Sequence, residues 1–199
     1  MSSKDSSGKP GAQIVCLVTG DELLLTDALR LVVSPTHQLV VDIGQNLPGQ
    51  CGYVACRRWV IESFVQTLAA RDGWNEVVCG EDFADKVAAI LKHKALSMLG
   101  MANRSGVVLT GFEKIVIRLE KGHQGILVQA CDASVEGKRK LQYTARGCSL
   151  ILDQIFSREE LSSVLGKENA VHLWLKESSV TRAFVEACQR LIMYNGPKS

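Results

Sequence analysis

Lys114, Arg118 and Lys121 recur at intervals of four and three, the spacing that sets side chains on one face of an α-helix. They follow Thr110 and Gly111, which read as the N-cap and first turn of that helix. Cations beside a helix start are chemistry for phosphate, because their charge and the free N–H groups of the first turn attract the same anion. Arg104 lies shortly before this segment, and a run of three cations, Lys138, Arg139 and Lys140, lies after it. Together they describe a surface that holds a polyanion by its backbone.

Other chemistry has little support. The four histidines, His37, His93, His123 and His172, have no Cys, Asp or Glu at ligand spacing and no nucleophile in a recognisable motif. Asp132 is a lone carboxylate after an apolar run, the usual place for a turn or helix cap rather than an acid–base group. The seven cysteines are scattered without C-x-x-C pairs; Cys16, Cys51 and Cys56 are the one set from which a metal site could be drawn, and no paired spacing supports it. No glycine-rich phosphate loop is present. The expectation is a protein that is not an enzyme and needs neither metal nor cofactor.

The elements that must position the cations can be read outward from them. Gly122 closes the helix that carries Lys114, and residues 125–130 form an apolar run of strand length ending in the polar turn 131–134. Upstream, a long helix from Glu81 places Phe83, Val87, Ile90, Leu91 and Met98 at helical spacing. Downstream come a basic helix over 135–146, a strand over 148–152, a helix over 157–165 opened by the capping-box pair Ser157 and Glu160, a strand over 171–175 and a closing helix over 178–194. Such alternation predicts a three-layer α/β/α sandwich.

Before it, residues 1–11 read as a disordered tail, 14–18 as a strand, Asp21 and Glu22 as a turn, 27–33 as a strand or helix-to-strand segment, and 39–41 as a strand. A loop around Pro48 and Gly49 then leads into a strand and a helix over 57–70, where Tyr53, Trp59 and Phe64 are read chiefly as core packing and otherwise as stacking surface for unpaired bases. Residues 69–80 read as a packed connection, so the expected domains are 12–80 and 81–195.

Two resemblances sharpen this reading. Gly111, Gly122, Ala130, Asp132, Ala133 and Ser134 fit, with its spacing, the pattern of the ribosomal L-seven-Ae family of RNA-binding proteins. Glu113 and Lys114 stand where that family has Asn and Glu. Cys16, Val18, Thr19, Gly20, Leu29, Arg30, Val32, Asp42, Leu47, Pro48, Gly49, Tyr53 and Val54 resemble, in order, the YlxR family of small bacterial RNA-binding proteins, with Gln50 in the place of a family arginine. The resemblances imply a small YlxR-like α/β domain followed by an L-seven-Ae-type sandwich. They imply binding of structured RNA through Gly111, Lys114, Arg118, Lys121 and the loop after Ala130, with Arg30, Gly49, Gln50, Tyr53, Arg57 and Arg58 as a second surface. The ribosome and the transcription and translation machinery are the partners they suggest.

Charge supports a division of labour. Residues 1–80 carry six Lys/Arg against eight Asp/Glu, and residues 81–199 carry seventeen against thirteen, so the basic excess belongs to the second half. No apolar run approaches the roughly 18 residues of a membrane span, and the N-terminus lacks the layout of a signal peptide. A cytoplasmic protein without a membrane partner is expected. The neutral Gln50 and the Glu113–Lys114 pair leave one rival open, a protein-interaction scaffold that has kept the folds and lost the RNA.

Overall fold

The structure is a computed structural model that describes residues 14–145 and 150–197. The fold is mixed α/β, and packing divides it into two compact units, residues 14–88 with 193–197, and residues 89–192.

In the first unit, β1 (Ile14–Val15) and β2 (Glu22–Leu23) pair antiparallel. The turn between them closes on Gly20, at φ +77°, whose N–H donates to the Cys16 carbonyl. The strand expected over 14–18 is therefore short, and Glu22, expected in a turn, already belongs to β2. A 3-10 turn at Leu25–Asp27 precedes β3 (Ala28–Val33), which is flanked by β4 (Leu39–Val41) and β5 (Cys51–Ala55) in an antiparallel sheet of order β4-β3-β5. Register sets Leu29 opposite Val54, with Leu31 on the same face, and all three are fully buried. Helix α1 (Arg58–Gln66) adds Val60, Ile61 and Phe64 to the buried set. Phe64 meets Trp74 edge-on at 5.3 Å and is fully buried, so it packs in the core. The helix expected to reach residue 70 stops at Gln66, where the Thr67 hydroxyl donates to the Ser63 carbonyl and a 3-10 turn, Leu68–Ala70, follows.

Helix α2 (Phe83–Arg104) begins two residues later than expected. In the second unit its buried Ala95, Leu99 and Ala102 pack toward a four-stranded sheet. The strands are β6 (Val108–Thr110), β7 (Ile126–Gln129), β8 (Leu150–Leu152) and β9 (His172–Leu175), in the order β6-β9-β7-β8. The helices are α3 (Phe112–Glu120), α4 (Val135–Thr144), α5 (Arg158–Leu165) and α6 (Ser179–Asn195). Strand alternation splits the core: Ile126, Val128, Leu173 and Leu175 meet α2, α5 and α6, while Leu127 and Trp174 meet α3 and α4. With helices on both faces, β7 has no solvated side, so all four of its residues are buried. The tail 1–11, Arg146 at the end of the expected basic helix, and Cys148 at the start of the expected strand lie outside the described residues.

Candidate nucleic-acid interface

Sheet topology brings three helix starts together. β9 is antiparallel to both β6 and β7, and β7 is parallel to β8. Consequently β6, β7 and β8 all point the same way, and α3, α4 and α5, which follow them, begin at one end of the sheet. This is the crevice outside the carboxyl ends of the strands, where open α/β sheets hold ligands. A cavity of about 540 Å³ lies there, lined by Gly111 and Phe112 at the start of α3, Ser134 and Gly137 at the start of α4, and Arg158 at the start of α5.

Each start is locally encoded. Gly111 is at φ +101°, a conformation that a residue with a Cβ rarely adopts, and it turns β6 directly into α3. The Ser134 hydroxyl accepts the Gly137 N–H at 3.2 Å. Ser157 and Glu160 form a reciprocal capping box at α5, and the Asp132 carboxylate accepts the Arg158 backbone N–H at 2.8 Å. Asp132 is thus a cap.

Cations and one aromatic ring surround the opening. Lys167 and Asn169 belong to the loop that enters β9 from this end, and the Lys167 ammonium donates to the Thr110 hydroxyl at 2.9 Å. The Lys140 ammonium lies 5.4 Å from the centre of the Phe112 ring, whose other neighbour is the edge of His172 at 5.7 Å. Burial, with the Lys138 charge nearby, holds His172 below the ordinary imidazole range, so near neutral pH it contributes ring surface rather than charge. Glu168 is the one acidic residue of the lining among the described residues.

Beneath the cavity lies a polar network. Gln129 is fully buried; its amide lies 3.4 Å from His172 Nδ1, and its carbonyl accepts from Gln142 Nε2, which also donates to Asp153. The Lys138 ammonium donates to the carbonyls of Cys131 and Asp153 at 2.9 and 3.1 Å, tying the turn after β7 to the turn after β8.

The expected site residues therefore separate into groups. Lys114 in the first turn of α3, Lys121 just beyond its last turn, Arg139 and Arg104 are exposed and carry no ion pair or side-chain hydrogen bond among the described residues. Gly111 lines the cavity, and Lys140 lies over the Phe112 ring beside it. Arg118 lies over the Trp174 ring at 5.2 Å, and Lys138 is held inside the framework. Arg104 closes α2, ahead of the start of β6 and away from the cavity.

In the first unit most of the expected residues are engaged internally. Arg30 pairs with buried Asp42 and donates to the Leu47 carbonyl at 2.9 Å. Burial would raise the Asp42 carboxyl, but the Leu47 N–H and the Arg30 guanidinium hold it below the usual carboxylate range. The Gln50 amide donates to the Gly73 carbonyl at 2.6 Å, and Gly49, at φ +117°, leaves no room for a Cβ against the Val33 carbonyl. Arg57 donates to the Met193 carbonyl at 2.9 Å, and Arg58 pairs with Glu62 and Asp85. Tyr53 is half-buried beside Arg30 in register.

Sequence reasoning missed Arg158, Lys167, Asn169 and Phe112. Lys167 follows the helix-stopping Gly166, which sits in the left-handed region at φ +61° and so could have marked a loop; only the fold places that loop against β6. Among the described residues no group of three or more His, Cys, Asp or Glu could hold a metal. No helix among them is long and apolar enough to cross a membrane.

Comparison with known proteins gives a distant likeness to an RNA-binding protein. The chain is 28% identical over 80 residues to the "RNA-binding protein YlxQ" of Enterococcus faecium, a stretch that covers 40% of this chain and 78% of that protein. It is 26% identical to a solved structure titled "The structure of a protein with unknown function from Bacillus halodurans C", covering 48% of this chain and 97% of that one at a TM-score of 0.44. No protein-family model matches the chain.

Proposed function

We propose that this protein is a non-catalytic RNA-binding protein that holds structured RNA at the carboxyl ends of β6, β7 and β8. The observation that carries the reading is the convergence of three helix N-termini on one cavity lined by Arg158 and Lys167, with Lys140 over the Phe112 ring and Lys114 on the adjoining turn of α3. Helix starts and cations attract the same group, and phosphate is the anion a polynucleotide offers in series. Phe112 and the half-buried His172 add ring surface for an unpaired base, the mode by which RNA loops and bulges are distinguished from plain duplex. The likeness to an RNA-binding protein points the same way. On this reading residues 12–80 are a YlxR-like domain and 81–195 an L-seven-Ae-like domain, cytoplasmic and working with the transcription or translation machinery.

A second reading applies to the N-terminal unit, where Arg30, Arg57 and Arg58 all have intramolecular partners. With those cations holding loops and helix ends, this unit fits a scaffold that supports the RNA-binding half or docks a protein.

The test is fluorescence anisotropy with a hairpin containing an internal loop and with a straight duplex, each over a range of salt. The proposal expects tighter binding of the looped RNA and a linear fall of log affinity with log salt. Replacing both Lys114 and Lys167 with Glu should remove most of the affinity. No binding of either RNA at low salt would leave the scaffold reading in its place.

A further inference from the structure

The opposite end of α3 faces a second cavity, of about 390 Å³, that the proposed RNA site does not use. Its wall brings together Arg118, His123, Gln124, Trp174 and Lys176, with the start of β6 forming the remainder. Among the described residues no acidic side chain lines it. Arg118 is stacked over the Trp174 ring at 5.2 Å, which holds the guanidinium plane in place while leaving its N–H groups available at the edge. The Trp174 indole N–H is buried and lacks a hydrogen-bond partner. The indole ring thus forms one wall of the cavity, and Arg118 and Lys176 bring two cations to it.

The segment just before β7 packs tightly against the back of this wall. A Cβ at Gly125 would lie 2.7 Å from the Trp174 ring nitrogen and 2.5 Å from the Leu175 carbonyl, so only glycine lets this strand pass the indole. The cavity therefore combines fixed and mobile donors, two of them cationic side chains, on a scaffold that a larger residue at 125 would disturb.

We propose that this cavity is a phosphate-binding subsite, taking either a backbone phosphate of a bound RNA strand or the phosphate of a free mononucleotide. The ridge Lys114, Arg118, Lys121 runs along α3 from the first cavity to this one. Nine helical residues span about 13 Å, a path that a strand held at the first cavity could follow. Only the RNA source rests on the function proposed above; the subsite itself does not.

The experiment is a titration of the 15N-labelled full chain with adenosine 5′-monophosphate and, in parallel, with adenosine. It is followed through the Trp174 indole N–H and the backbone amides of Arg118, Gln124 and Lys176. The nucleotide should move these signals saturably at millimolar concentration and adenosine should not. Lys176→Glu or Arg118→Gln should weaken the response at least tenfold with the remaining spectrum unchanged. Equal shifts with both ligands, no shift with the nucleotide, or shifts insensitive to both substitutions would overturn the proposal. If RNA supplies the phosphate, Lys176→Glu also lowers the salt slope of RNA binding by about one; an unchanged slope in that variant, with the nucleotide shifts present in the parent chain and weakened by the substitution, assigns the subsite to free nucleotides. Loss of all RNA binding with those shifts intact would sink the RNA reading and leave the subsite standing.

Discussion

The Lys167 ammonium donates to the Thr110 hydroxyl at 2.9 Å, joining the loop that enters β9 to the last residue of β6, one position before the glycine that opens α3. The bond holds a cation at the mouth of the cavity without neutralising it. Lys167→Met should therefore weaken binding of a looped RNA by about tenfold, in the range of one lost phosphate contact, and change stability by less than about 0.5 kcal/mol because the pair is exposed. Anisotropy and thermal melts on the same preparation check both halves.

Lys138 and Lys114 separate structural from ligand-facing charge. With two backbone carbonyls on its ammonium, Lys138→Met should cost about 2 kcal/mol of stability and leave the salt slope of RNA binding where it was. Lys114→Met, with no partner to lose, should leave the denaturation midpoint in place and reduce that slope by about one. Urea titrations paired with salt titrations distinguish the two, and the opposite pattern would contradict the assignment of Lys138 to the framework.

Asp42 makes the N-terminal unit acid-sensitive. Its carboxyl sits below the usual value when folded, since the Leu47 N–H and Arg30 outweigh the effect of burial. The unfolded chain therefore takes up this proton first, and the stability that the carboxylate contributes is complete above about pH 4 and lost as pH falls through the lower, folded value. Asp42→Asn should destabilise the protein at pH 7 by about 3 kcal/mol, as expected for a buried pair left with one partner, and flatten the acid limb of a stability-against-pH curve.

Gly125 has no space for a methyl group between the Trp174 indole and the Leu175 carbonyl. Gly125→Ala should cost about 2 kcal/mol by overpacking and shift the Trp174 fluorescence, whereas Gly122→Ala, where nothing lies within 4 Å of the new carbon, pays only the strain of φ +73°. A Gly125→Ala protein as stable as the parent would show that the strand can move away from the ring.

How far the sequence carries can be seen residue by residue. Cations at 114 and 118 on one helix and at 121 on its C-cap, the capping box of Ser157 and Glu160, the glycine at the start of α3 and the fully buried β7 follow from periodicity and local backbone preference. These are properties of neighbours within a turn or a strand, so alternation of helix and strand was legible and with it the α/β class. Sheet order was not. That β9 inserts between β6 and β7, antiparallel to both, is what sets three helix starts around one cavity and brings Lys167 to Thr110, 57 positions earlier in the chain. The fate of each charge was equally hidden. Arg30 and Lys138 look in sequence like Lys114, but Asp42, the Leu47 carbonyl and the carbonyls of Cys131 and Asp153 meet them only after folding. Whether a cation is left for a ligand depends on distances to groups far along the chain, and tertiary structure alone decides those distances.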